Sequence, residues 1–489
     1  MNAPVIRLYA LVLLLFSLLV YFTSKWAVFD AESLEERPEN RRPLIAEQQI
    51  PRGDISTADG VLLAESLPSG QGRRPVFVRR YPAPDPATFG NPVGYSFVDV
   101  GRTGIELSEN RLLSGEQNEF ASLVDQLRNV PPEGADITLT IDAQAQRTAV
   151  QALQAAVGPG VGGSVVALEP ATGAVKVMAS VPGFDPNVVR DEETFSQLSE
   201  EGTTSPLFNR PTQGTYEPGS TMKVVTVAAA LDSGEIDPDT TINADSPKEI
   251  SGFPLENSGG QSFGEIDATT ALTNSVNTYW AQVGERLGSG TYLEYMDRFG
   301  FNTDPPLAYP DDQMAPSGVY EAGRLLTSSA AIDIGRVAIG QERLLATPLQ
   351  MAEVAATIAN EGTLMKPTFL LEAKDPDGRT IRKLDADPES RAISEETAAQ
   401  VAEMMTNVAN EGTASGLSVV TGAGTLAGKT GTAEIDVEQR INRAWFIGFA
   451  PVDDPQIAVA AMIERCTACF GGEVAGPIAT QVMNTLLEG

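Results

Sequence analysis

The chain has 489 residues, enough for two or three domains, and with 42% hydrophobic and 20% charged residues it should be largely ordered. Its 34 Lys and Arg stand against 65 Asp and Glu, a formal net charge of −31 with no basic stripe to offset it, which argues against nucleic acid as a partner. There is no histidine, which excludes every Ser-His-Asp and Cys-His arrangement and every His-ligated zinc or haem site; the two cysteines, Cys466 and Cys469, cannot complete a four-thiolate metal site, so no metal and no cofactor is expected.

The first element is apolar. "LYALVLLLFSLLVYF" runs from Leu8 to Phe22, and Trp26, Val28 and Phe29 extend it to residue 29. A helix over 8–29 has the length needed to cross a bilayer core of about 30 Å, with Lys25 snorkelling near its end. No A-x-A-like cleavage site directly follows the apolar run, so the segment is expected to stay as an anchor. Arg7 precedes it and the acidic "DAESLEER" follows, which places residues 1–7 in the cytoplasm and the rest outside a single-pass plasma-membrane anchor.

Residues 30–135 carry few long apolar patterns. "NRRPLIAEQQIPRGDISTADGVLLAES" reads as an extended arm with short strands, and "PSGQGRRP" and "PAPDPATFGNP" read as loops, so this part is expected to be an elongated β-rich pedestal with a small core. The texture changes for residues 136–489. "DITLTI" alternates as a strand does, Asp142 caps a helix over 143–156, and "GSVVALEPATGAVKVMASVP" is a hairpin around a Pro-Ala-Thr-Gly turn. "TPLQMAEVAATIAN" is helical, "RAWFIGFAPVDDPQIAVAAMIER" is a second hairpin turning at Pro451–Pro455, and "AGPIATQVMNTLLEG" is a closing helix. Strands, then helices, then strands and a last helix suggest α+β, an antiparallel sheet carrying helices.

Three short stretches carry chemistry. In "YEPGSTMK", Pro218 and Gly219 end a loop and Ser220 opens a helix, with Lys223 on the same face. Without histidine, a lysine held neutral by burial or neighbouring charge must serve as base for a serine nucleophile. "TNSVNTYW" adds Ser275 and Asn277; "GKTGTAE" adds Lys429, Thr430, Gly431 and Thr432. Each alone is common, but the order S-x-x-K, S-x-N, K-T-G, with separations of 55 and 154 residues, is the set shared by penicillin-binding proteins and class A β-lactamases. "RCTACF" reads as a local disulfide between Cys466 and Cys469 or as two buried thiols, in the connection from the last strand to the closing helix and on the far side of its hairpin from "KTGT".

Over nearly its whole length the chain resembles a class B penicillin-binding protein of the short actinobacterial type, a monofunctional peptidoglycan D,D-transpeptidase. "IPRGDISTADGVLLA" and "GRTGIELSENRLLSG" resemble the family's pedestal motifs; "SVPGFDPN", "FNRPTQGTYEPGSTMK", "AIGQERLLATPLQMAEVAATIANEG" and "AWFIGFAP" resemble its transpeptidase core. The resemblance implies a penicillin-binding domain with a five-stranded antiparallel sheet, without the C-terminal repeats of some relatives. It implies Ser220 as nucleophile, Lys223 as base, Ser275 and Lys429 as the path of a proton to the leaving D-alanine, and Asn277 as a ligand for a substrate amide. It also implies an oxyanion hole of the Ser220 and Thr432 backbone N–H groups, with Thr430, Gly431 and Thr432 holding the substrate. The implied partners are stem peptides as D-Ala-D-Ala donor and amine acceptor, β-lactams as covalent inhibitors, a membrane SEDS-family glycan polymerase and division or elongation proteins. A serine β-lactamase or D,D-carboxypeptidase activity and a catalytically minor scaffold are the alternatives.

Overall fold

The computed structural model describes residues 3–26, 48–69, 75–115, 133–199, 205–326, 332–419, 424–436 and 438–488. Its first helix, α1, spans Ala3–Ser24; an 18-residue stretch of it has mean hydropathy 2.4, and none of its residues is buried. Among the described residues it is the one helix long and apolar enough to cross a membrane, which is compatible with a single-pass anchor. It begins before the apolar count at Leu8 and takes in Arg7; positions 27–29 lie outside the described residues.

The N-terminal unit is built on short strands: β1 (Ile55–Ser56), β2 (Leu62–Ser69), β3 (Val76–Arg80) and β4 (Asp136–Leu139). The Pro-rich "PAPDPATFGNP" is more than a loop. Pro86 and Asn91-Pro92 seed a 3-10 turn, Pro86–Thr88, and a helical turn, Gly90–Val93. Most of "PSGQGRRP" lies outside the described residues.

The second unit starts with α2 (Ala143–Ala156), where the Asp142 carboxylate accepts from the Ala145 N–H at 2.7 Å, capping an otherwise orphaned donor. Then come β5 (Gly163–Leu168), β6 (Val175–Val181), α3 (Lys223–Asp232), α4 (Asn277–Arg298) and α5 (Pro348–Ala359). The Thr347 hydroxyl caps α5 and Pro348 occupies its first position, where a missing N–H costs nothing. The chain continues through β7 (Leu370–Lys374), β8 (Thr380–Lys383), α6 (Glu395–Asn410), β9 (Ala427–Asp436), β10 (Ile441–Ala450), β11 (Ile457–Thr467) and α7 (Gly471–Glu488).

Five of these strands form one antiparallel sheet in the order β9-β10-β11-β5-β6. Residues 457–464 of β11 are buried without alternation, because helices cover both faces: α2 and α7 pack together on the sheet, and α5 packs against β10, β11 and β5. β9 is the edge strand, and its open side faces a helical lobe of α3, α4 and α6.

A six-stranded sheet, β8-β7-β4-β1-β2-β3, joins the two units. β4 pairs in parallel with β1 and antiparallel with β7, so a hairpin from beyond residue 369 completes the N-terminal sheet. The small core expected for the pedestal is continuous with that of the rest: Ile55, Leu63 and Ile137 belong to the same apolar cluster as Trp445 and Met483.

Candidate active site

Ser220 lies in a 3-10 turn, Gly219–Met222, that runs directly into α3. This turn is fixed from three sides. The Gly219 N–H donates to the Gly340 carbonyl at 3.0 Å, the Trp445 indole N–H donates to the Glu217 carbonyl at 2.9 Å, and Tyr216 exchanges two backbone bonds with Ala346. Gly219 has φ +54°, and a Cβ there would press on the Thr432 backbone; a Cβ at Gly431 would meet the Pro218 carbonyl at 2.7 Å. Only glycine at both positions lets the Ser220 turn and β9 approach this closely.

Lys223, one turn after Ser220, is fully buried, with 0% exposure. Its Nζ donates to the Ser275 carbonyl at 2.7 Å and to Asn277 Oδ1 at 2.7 Å, and lies 3.3 Å from Ser275 Oγ. Lys429, also at 0% exposure, reaches Ser275 Oγ at 2.9 Å from the opposite side and donates to the Thr430 carbonyl at 2.9 Å. One hydroxyl thus joins two buried amines. Burial, and then the charge of Lys429, hold the Lys223 amine well below the usual lysine range; burial pushes Lys429 down to about 7.

Ser275 sits between a helical turn, Ala268–Thr273, and α4, with φ 57°. A non-glycine residue in this left-handed region costs roughly 1–3 kcal/mol. The reversal turns both Ser275 and Asn277 toward Lys223. The Asn277 Nδ2 spends one hydrogen on the Glu256 carbonyl at 3.0 Å and keeps a second.

On β9, Thr430 and Thr432 project together, opposite in the alternation to Lys429. The Thr430 hydroxyl meets that of Thr413 at 2.6 Å, and Thr432 Oγ1 accepts from the Gly471 N–H at 3.3 Å. Thr413, Gly340 and Trp445 were not singled out for the site; their places depend on long-range packing that leaves no local pattern. Ser220 is half-buried, and among the described residues its hydroxyl has no hydrogen-bonded side chain.

The two cysteines are bonded to each other, with Cα atoms 5.8 Å apart. Cys466 is the penultimate residue of β11, not part of the connection. The start of the closing helix is closer to the site than expected: Gly471, the first residue of α7 and two after Cys469, packs against Gly431 and donates to Thr432. The sulfurs themselves sit over Asn442, whose carbonyl faces Cys466 Sγ at 3.6 Å and whose amide donates to the Cys469 carbonyl at 2.9 Å.

Residues 163–484 match the penicillin-binding protein transpeptidase domain, and residues 52–137 match the penicillin-binding protein A dimerisation domain. The chain belongs to the penicillin-binding protein transpeptidase family. Within it, the chain is 36% identical to the peptidoglycan D,D-transpeptidase PbpA of Mycolicibacterium smegmatis, over 98% of this chain and 97% of that one. It is 33% identical to PbpA of Mycobacterium tuberculosis over 100% of both chains. The fold superimposes on the imipenem acyl-enzyme of M. tuberculosis penicillin-binding protein A with a TM-score of 0.78 and 32% identity, covering 90% of this chain and 100% of that one. The family's α+β architecture, with an apolar N-terminal helix and a multi-stranded antiparallel sheet, is the one seen here.

Proposed function

We propose that this chain is a serine-type peptidoglycan D,D-transpeptidase that cross-links stem peptides through an acyl-enzyme and is inhibited covalently by β-lactams. The observation that carries this reading is the continuous path Lys223–Ser275–Lys429 beside Ser220. A neutral amine has two N–H donors and one lone pair. The two short bonds from Lys223 to the Ser275 carbonyl and Asn277 Oδ1 use both donors; the lone pair is left on the side of the longer 3.3 Å contact with Ser275 Oγ, and it is this contact that yields when the proton of Ser220 is taken up.

Ser220 Oγ attacks the carbonyl between the last two D-alanines as its proton passes to Lys223. Oxyanion charge falls on the Ser220 and Thr432 N–H groups, the second on the open edge of the sheet. The C–N bond breaks, and the proton returns through Ser275, next to Lys429, to the departing D-alanine amine. Thr430, Gly431 and Thr432 hold the donor by strand-like pairing and by hydroxyl contact with its carboxylate, and Asn277 uses its spare N–H on a substrate amide. An amine of a second stem then attacks the ester, forming the cross-link and releasing Ser220.

In this reading α1 is a plasma-membrane anchor with residues 1–7 cytoplasmic and the enzyme outside. Residues 30–135 form the pedestal, 136–489 the transpeptidase domain, and a SEDS-family polymerase with division or elongation proteins are the partners. The test is intact-mass spectrometry with benzylpenicillin and mapping of the adduct. One adduct at Ser220, absent in Ser220→Ala, is expected; an adduct that survives that substitution overturns the assignment. Analysis of the peptide products separates cross-linking from carboxypeptidase activity.

A further inference from the structure

Thr413 enters the site from outside the three sequence motifs. It follows α6 in the stretch "NEGTASG", and its place is set from two sides. Its N–H donates to the Thr273 carbonyl at 3.3 Å, at the end of the helical turn that leads to Ser275. Gly412 packs so closely on that same carbonyl, and Gly472 of α7 on the Thr413 carbonyl, that a Cβ would lie 2.3 Å or 2.5 Å away. Held in this way, the Thr413 hydroxyl meets that of Thr430 at 2.6 Å.

The pair is unequal in exposure and has a proton to spare. Thr430 is 7% exposed, whereas Thr413 is open to solvent. Two hydroxyls in contact carry two protons and use one for the bond between them. Neither makes another hydrogen bond among the described residues, so the second proton is left for an acceptor. The Thr432 hydroxyl accepts from the Gly471 N–H and likewise keeps its proton. Among the described residues no guanidinium bonds to any of the three hydroxyls; the cation beside them is the Lys429 amine, which donates to the Thr430 carbonyl at 2.9 Å. An anion held here without a bidentate arginine depends on how many neutral donors face it.

We propose that Thr413 is a specificity-determining residue for the free C-terminal carboxylate of the donor, its hydroxyl joining those of Thr430 and Thr432 in a three-hydroxyl grip of which Thr413 is the solvent-facing member. The inference rests on the carboxylate-holding role given above to Thr430 and Thr432. It favours donors that end in a carboxylate over donors whose terminus is esterified or amidated, because a hydrogen bond to an ionised group is roughly twice as strong as one to a neutral group.

The test compares benzylpenicillin, whose thiazolidine carboxylate stands for that of the donor, with its methyl ester, in which that charge is removed. Second-order acylation rate constants are followed by intact mass on the full chain in detergent, for the parent, Thr413→Val and Thr413→Ser. In Thr413→Val the ratio of the two constants, acid over ester, should fall about tenfold. Thr413→Ser keeps the hydroxyl and should restore the ratio. An equal loss with both probes would make Thr413 a support for its loop and overturn the proposal, as would an unchanged ratio. Thr430→Val, run alongside, separates the two readings. A ratio that falls for Thr430→Val and not for Thr413→Val sinks the role of Thr413 alone; one that falls for neither sinks the carboxylate role of Thr430 with it.

Discussion

In the N-terminal unit, Arg52 and Arg79 close on the single carboxylate of Glu106. At the active site, Lys223 and Lys429 close on the hydroxyl of Ser275, and among the described residues neither has a carboxylate within ion-pair distance. Both clusters are buried and both hold two cations, yet they respond to burial in opposite ways. Burial raises the Glu106 carboxyl, but the two guanidiniums outweigh it and hold the group below its usual range, so it stays charged. With no anion to compensate them, the two amines give up protons instead. Arginine cannot do so, which is why it suits a permanent clamp, whereas lysine suits a base. One cluster holds structure together; the other keeps neutral the amine proposed as proton acceptor for Ser220, at a cost in stability.

The comparison breaks most sharply at Lys223. Lys223→Met should slow acylation by benzylpenicillin at least about 10³-fold, since it removes the amine proposed to take the proton of Ser220. The same variant should melt no lower than the parent, because it removes an amine that burial disfavours. A stopped-flow acylation rate near the parent's would show that Lys223 is dispensable. Lys223→Arg should fail equally, as arginine does not deprotonate.

Glu106→Gln should do the reverse. Two guanidiniums would be left without their carboxylate, with an expected loss of roughly 3–5 kcal/mol in stability. The acylation rate of the folded protein should stay within about twofold. Chemical denaturation and acylation measured on the same samples decide this. A large rate loss with the fold intact would tie the pedestal cluster to catalysis.

A pH profile sharpens the contrast. The lowered pKa values mean that the amines are neutral at lower pH than free lysine, and that this form is lost as pH falls through the folded value. Acylation should therefore have an acid limb near pH 7, the value to which burial pushes Lys429. Lys429→Arg should remove the Lys429 component of that limb along with most of the rate. An unchanged limb would assign it to another group.

The smallest effect is expected at the disulfide. Cys466→Ser/Cys469→Ser opens a bridge between residues three apart, so its loop-closure contribution is modest. Melting should drop by a few degrees at most (about 1 kcal/mol in a domain of this size). Acylation should be nearly unchanged. A larger rate loss would mean that the clip sets the position of Gly471 and, through it, Thr432.

Much of the candidate site was legible because its residues are grouped at short range in the sequence. Ser220 and Lys223 share a helical face, and the K-T-G run announces an edge strand with a close backbone approach. The Asp142 cap and the two hairpins read from the sequence, β5-β6 and β10-β11, carry equally local signals. What was hidden depends on distant partners. The left-handed turn at Ser275 has no glycine to mark it, because α4 and Lys223 over-determine the conformation. Thr413 and Gly340 enter the site through register and packing. The last strand runs two residues further than its apolar pattern, to Thr467, since Cys466 still pairs with Asn442.

The shared sheet has a mechanical consequence. β4 is short, yet it is held on one edge by β1 and on the other by β7, whose sequence lies more than two hundred residues away. With α1 as the membrane anchor proposed above and the second unit held by its polymeric substrate, a pull along the chain meets these ladders along the strand direction. Hydrogen bonds loaded in that way share the force and yield together, whereas a hairpin pulled open at its end loses them one by one. The junction between the two units is thus arranged as a lap joint, and the tether to the bilayer bears on the strands of the pedestal before any tension reaches the turn that carries Ser220.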